Sequence, residues 1–267
     1  MSAPTPVSRD AAELAVATAG RARWRGLVLP VAAIALWWLL ARADLVNSAL
    51  LVSPGKVLAT AADQIVGGKL WRALGASLGR ELTGFAIGTL SGLLLGVLLG
   101  LSPVFNRTSF NTSKQISLFA WISLISVWFG LGDTAKVVFL SLAALVPVVV
   151  NTCDGVRNAP PKLLEVARVY GYSRWQTFAQ VVLPAAAPAI FTGVYLALIY
   201  SWLATIGAEY LLVAGVGIGN LLIEGSEHFQ MDLVIFGMFV VGVIGWLMNA
   251  LARVAERRLA RLRGQDQ

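Results

Sequence analysis

Apolar residues in this chain come in long runs broken by short polar stretches, a patterning suited to helices that face hydrocarbon on most sides. Six runs are predicted to span a membrane: about 27–41, 81–101, 116–130, 135–150, 190–213 and 233–251. The first is near the minimum spanning length, and Ala41-Arg42-Ala43 behind a basic stretch also resembles a signal-peptide cleavage site; the run of further spans favours a membrane helix. Between the first two spans, Ser53-Pro54-Gly55 reads as a helix start and Gly67-Gly68 as its stop. That segment is too polar to span and is expected at the outer interface, together with Trp71. Leu131-Gly132-Asp133 leaves room only for a tight turn before the fourth span, which Pro147 should kink.

The second span carries Gly84, Gly88, Gly92, Gly96 and Gly100, one glycine every four residues. In water each interior glycine weakens a helix by about 1 kcal/mol relative to alanine. In lipid the cost of an unpaired backbone keeps the segment helical, and small residues at this spacing form a face on which another helix can pack closely.

Composition agrees with the runs. Hydrophobic residues make up 57% of the 267 and charged residues only 13%, against about 25% charged in ordinary soluble domains. The net charge of +7 would suggest nucleic acid in a soluble protein, so its placement matters. With six spans and the N terminus inside, fifteen Lys and Arg fall on inner segments against six outside, namely Arg42, Lys56, Lys69, Arg72, Arg80 and Lys136. The bias puts both termini on the cytoplasmic side and accounts for the charge without nucleic acid. The expected organisation is a tail at 1–25, a membrane domain at 26–252 and a basic tail at 253–267. One cysteine, Cys153, and one histidine, His228, argue against a disulfide, a metal centre and a histidine-based catalytic triad; no cofactor is expected.

A polar, basic loop at about 151–188 lies between the fourth and fifth spans. Pro160 and Pro161 suit a helix start, Lys162 to Tyr170 has helical character, and Gly171 suits the left-handed residue that ends a helix. A second helix, about Ser173 to Val182, should return to the membrane at Leu183-Pro184. Such a loop can be a rigid handle for a cytoplasmic partner or an amphipathic connector lying on lipid headgroups.

Within it, Glu165, Ala167, Gly171, Val181, Leu183 and Pro184 match the pattern E-A-A, three residues, G, nine residues, I-x-L-P, with Val166 and Val181 in place of alanine and isoleucine. On these residues the chain resembles the permeases of binding-protein-dependent ABC importers. The resemblance implies an all-α integral membrane protein with the type I importer fold, multi-pass in a bacterial plasma (inner) membrane. It further implies a homodimer embedded in membrane lipid, two cytoplasmic ATPase subunits that hydrolyse the ATP, and an extracytoplasmic solute-binding protein. Glu165, Ala167 and Gly171 would form or support the contact of a cytoplasmic coupling helix with the ATPase, and Leu183 and Pro184 would set the return into the membrane. Shorter matches, Ser77-Leu78-Gly79-Arg80, Trp128-Phe129-Gly130-Leu131-Gly132 and Ala208-Glu209, resemble the branch that imports sulfonates, taurine and nitrate. This chain has Ser117, Leu118 and Ser123 where those relatives usually place prolines, so its pathway shape there is its own.

Trp202, Thr205 and Glu209, with Ser201 on the same helix, are candidates for the translocation pathway; Glu209 equally suits a structural acid paired with a neighbouring span. Glu209 is the one acidic residue read as lying inside a span, too few for a membrane-embedded enzyme, and neither internal repeats nor further intramembrane charges point to a secondary transporter. Gly215-Val216-Gly217-Ile218-Gly219 lacks the strand-and-helix setting of a nucleotide loop, and no G-x-x-x-x-G-K-[ST] sequence occurs.

Overall fold

A computed structural model describes residues 28–29, 31–43, 52–102 and 117–262. The expected tail at 1–25 and residues 263–267 of the basic tail lie outside these. Among the described residues every regular element is helical: α1 (Val31–Arg42), α2 (Pro54–Val66), α3 (Lys69–Leu101), α4 (Ala120–Phe129), α5 (Asp133–Arg157), α6 (Pro161–Val169), α7 (Arg174–Leu211), α8 (Ile218–Glu227) and α9 (Met231–Leu262).

Four of these, α3, α5, α7 and α9, are long and apolar enough to cross a membrane. The first and third predicted spans are represented by shorter apolar helices, α1 and α4. At 1.5 Å per residue the ten residues of α4 rise only about 15 Å, half of a typical hydrocarbon core. The packing nevertheless brings the chain back from one end of the bundle to the other before Asp133. Gly84 lies against Leu140, Gly92 against Val148 and Gly100 against Val156, so α3 and α5 run in the same direction. The chain must return between Leu101 and Asp133, and α4 is the described part of that return. By contrast, Gly155 meets Ala186 and Ala189 while Gly193 meets Pro147 and Asn151, an order that sets α7 antiparallel to α5. The bundle thus has two ends, one carrying α6 and the other α8.

The glycine spacing of α3 explains how tightly α5 is seated. A β-carbon added at Gly84, Gly92, Gly96 or Gly100 would lie 2.6–2.9 Å from a side-chain carbon of α5. The opposite side of α3 is different: Leu82, Leu90, Leu94, Leu98 and Leu101 are exposed, which suits contact with acyl chains. At the α8 end, α2 is tied to the first turn of α9, where Asp232 accepts a 2.5 Å bond from Thr60 Oγ1 and pairs with Lys56 at 3.6 Å. Trp37 of α1 donates to the Val52 carbonyl at 3.1 Å.

Two boundaries differ from the sequence expectation. The polar loop is shorter than 151–188, because α5 runs on through Asn151 to Arg157, with the Asn151 side chain donating to the Pro147 carbonyl at 2.8 Å. The second loop helix does not end at Leu183-Pro184 either: Arg174 to Leu211 is one continuous helix. Proline at 184 has no N–H to offer the carbonyl four residues back and its ring crowds it. The chain accommodates this with a π turn over Phe178–Val182 just before it.

Candidate functional site

At the α6 end, sequence chemistry builds a rigid corner. Pro161 opens α6, and the helix closes on Gly171, which has φ +70. The Gly171 N–H donates to the Arg168 carbonyl and the Tyr172 N–H to the Ala167 carbonyl, both at 3.0 Å. This pair of bonds is the Schellman stop, and only a residue at ease in the left-handed region completes it without strain. Two residues on, Ser173 caps α7 through a reciprocal box: its hydroxyl accepts from the Gln176 N–H at 3.2 Å while its own N–H donates to Gln176 Oε1 at 2.8 Å. One helix is stopped and the next started with four residues between them.

The corner is pinned from behind. Ala167 is buried, and Leu164 packs with a cluster formed by Val156 of α5, Ala159 of the connector, and Val182 and Ala186 of α7. The outer face of α6 is uncovered and carries exposed apolar side chains, Leu163, Val166 and Val169 with Tyr170 just after it, the last two 86% and 76% exposed and Trp175 beyond them, beside the exposed charges Lys162, Glu165 and Arg168. Glu165 and Gly171 are exposed on the same corner, while Leu183 and Pro184 lie further along α7, past the π turn.

At the α8 end lies a polar cluster that joins two of the shorter matched segments, Ser77–Arg80 and Ala208–Glu209, and reaches Asp133, the residue that follows the third. Arg80 donates to Glu209 Oε1 at 2.5 Å, to Asp133 Oδ1 at 2.9 Å and to the Val216 carbonyl at 2.7 Å. Glu209, 1% exposed, also accepts from Ser77 Oγ at 2.6 Å and from the Gly219 N–H at 2.7 Å. Ser77 Oγ in turn accepts from the Ile218 N–H at 3.0 Å. Two N–H groups at the start of α8 therefore end on the cluster, where a carboxylate is favoured by the helix dipole. Gly217 and Gly219 lie against the Glu209 side chain, so the glycine run at 215–219 serves close packing around an acid. Lys136, fully buried, donates to the Ala214 carbonyl at 2.6 Å.

The pathway candidates are buried within the described chain. Trp202 is buried and donates to the Val241 carbonyl of α9 at 3.3 Å, and Ser201 and Thr205 are fully buried. The latter two hold an acid that sequence reasoning missed. Glu81 of α3, 0% exposed, lies within hydrogen-bond reach of Ser201 Oγ at 2.6 Å and of Thr205 Oγ1 at 2.7 Å. Reading the second span as starting at 81 put Arg80 outside it and Glu81 at its edge; α3 in fact begins at Lys69. Glu209 is thus not the one acid within the helices, and Arg80 and Lys136 are buried parts of the bundle rather than outer-loop charges.

Residues 84–263 match the family described as "Binding-protein-dependent transport system inner membrane component". Among curated proteins, the chain is 38% identical over 232 residues to the aliphatic sulfonates transport permease protein SsuC of Escherichia coli, covering 86% of this chain and 88% of the relative. It is 32% identical over 250 residues to SsuC of Bacillus subtilis, covering 91% and 90%. The taurine transport system permease protein TauC of E. coli is 30% identical over 242 residues, covering 88% of each. Among solved structures, an inward-facing form of the MetNI methionine ABC transporter aligns with TM-score 0.60 at 19% identity, over 71% of this chain and 95% of that one. An amino acid ABC transporter aligns with TM-score 0.58 at 20% identity, over 70% and 92%. At those identities the structural likeness speaks for the fold alone.

Proposed function

The chain belongs to the binding-protein-dependent transport-system inner membrane components and is the permease of an ABC importer; from that premise we propose that α6 is the coupling helix through which separate ATPase subunits drive it. The observation that carries this is the uncovered surface of α6 and its end, where Leu163, Val166, Val169 and Tyr170 stand exposed among Lys162, Glu165 and Arg168, mounted on a corner braced against α5 and α7. A connector lying on headgroups would gain little from such bracing. A lever must be stiff at the point of contact, so that displacement of a docked partner reaches the spans instead of bending the loop. Glu165 and Gly171 stand on the contact surface, Ala167 holds it from within, and Leu183 and Pro184 set how α7 leaves it.

On this reading the α6 end faces the cytoplasm, as the excess of Lys and Arg on the predicted inner segments favours, and the termini share that side. The α8 end faces an extracytoplasmic binding protein. Two copies pair, most simply as a homodimer, to enclose the pathway between them. The solute is a small organosulfonate such as an alkanesulfonate or taurine, or a related small anion such as nitrate; relatives named for aliphatic sulfonates and taurine support this assignment. The buried charges Arg80, Glu81, Lys136 and Glu209 are more than the sequence reading allowed a secondary transporter, yet family membership favours the ATP-driven mechanism.

The test is reconstitution of the chain with its ATPase in lipid vesicles and measurement of ATP hydrolysis with and without loaded binding protein. Gly171→Val forces a β-branched residue into the left-handed region and is expected to abolish the stimulation, whereas Gly171→Asn, which tolerates that conformation, retains most of it. Full stimulation in Gly171→Val would refute the coupling assignment.

A further inference from the structure

Among the described residues Glu81 has no countercharge. Its carboxyl is fully buried between α3 and α7. Among the described residues, ion pairs join Lys56 to Asp232 and Arg80 to Asp133 and Glu209; no cation is paired with Glu81. The charged groups around it are committed elsewhere. On its own helix Arg80 turns to Glu209, Asp133 and the Val216 carbonyl. On α7 Glu209 is taken by Arg80, Ser77 and the Gly219 N–H, and on α5 Lys136 donates to the Ala214 carbonyl. At the start of α9, Asp232 is held by Thr60 and Lys56. An ionised carboxylate buried without a countercharge is among the costliest arrangements in a membrane bundle.

The hydroxyls around Glu81 resolve the difficulty. Thr205 Oγ1 lies 2.7 Å from Glu81 Oε2 and 3.0 Å from the Ser201 carbonyl, and Ser201 Oγ lies 2.6 Å from Glu81 Oε1. A carboxylic acid satisfies every atom in one circuit: the acid proton on Oε2 goes to Thr205 Oγ1, the threonine proton to the Ser201 carbonyl, and the serine proton to Oε1. We propose that the Glu81–Ser201–Thr205 cluster is a proton-binding site, with Glu81 held as the neutral acid while α3 and α7 are packed. Parting these helices admits water, and Glu81 then releases one proton. Acidification therefore favours the packed arrangement, and rising pH favours its opening. The proposal is independent of which solute is carried.

The test uses infrared spectroscopy of the full chain in lipid vesicles at neutral pH. Wild type is expected to show the carbonyl stretch of a protonated carboxylic acid that is absent in Glu81→Gln, whose amide can take over the same circuit and keep the fold. In Thr205→Val the band is expected to persist but move to higher frequency, because the acid has lost its acceptor. Unfolding in weakly buffered neutral solution should release about one more proton per chain from wild type than from Glu81→Gln. A carboxylate band in place of the acid band, lost in Glu81→Gln, or equal proton release from the two proteins, would overturn the proposal.

Discussion

Arg80 serves two carboxylates in very different settings, and replacing it by leucine separates their contributions. Glu209 has a side chain 1% exposed, so Arg80→Leu strands a buried acid with only the Ser77 hydroxyl and the Gly219 N–H as partners. Breaking a buried pair from one side typically costs about 3–5 kcal/mol. Asp133, by contrast, is 66% exposed, so its contact with Arg80 is a solvent-screened one worth about 0–1 kcal/mol. Arg80→Leu should therefore destabilise the bundle by about 3–5 kcal/mol and Asp133→Asn by no more than about 1 kcal/mol. Arg80→Leu/Glu209→Leu should be less damaging than the sum of its parts, because the stranded charge is gone. Denaturant-driven unfolding in mixed micelles, followed by fluorescence of the nine tryptophans, measures all of these. If Asp133→Asn proved as costly as Arg80→Leu, or if the double variant were strictly additive, the division of the cluster into a buried anchor and an exposed strut would be wrong.

The glycines of α3 offer an internal contrast under the same assay. Gly92→Leu overpacks against Val148 and should cost at least about 1–3 kcal/mol, whereas Gly79→Ala meets nothing within 4 Å and should be neutral or stabilising by up to about 1 kcal/mol. Ser173→Ala removes the cap of α7 and should lower stability by about 1 kcal/mol while loosening the α6 corner, which hydrogen exchange at Arg174 to Thr177 would register as lost protection.

Much of this architecture was legible in the sequence where one physical constraint acts alone. Four-residue glycine spacing announces a close-packed helix face, and a glycine after a basic helical turn announces a stop at Gly171. The misread elements are those where two constraints compete. Pro184 breaks helices in water, but in a bundle a π turn upstream absorbs it at less cost than an open backbone, and no local pattern signals that choice. Arg80 and Glu81 look like the polar edge of a span. Their burial depends on partners some 120 to 130 residues away, which apolar run lengths do not encode. A usable signal did exist: the Ser77–Arg80 segment and Glu209 were both singled out separately, and an arginine and an acid near the same membrane end suggest a pair.

The parallel pairing of α3 and α5 bears on how the protein is made. The glycine face of α3 leaves the ribosome well before its partner, because the returning segment must cross and α5 must follow before the two can meet. Until then the helix presents a groove of backbone to lipid, with neither side chains nor a neighbour to fill it. A nascent chain halted before Asp133 is thus an insertion intermediate with its most adhesive surface open, a ready target for membrane quality control.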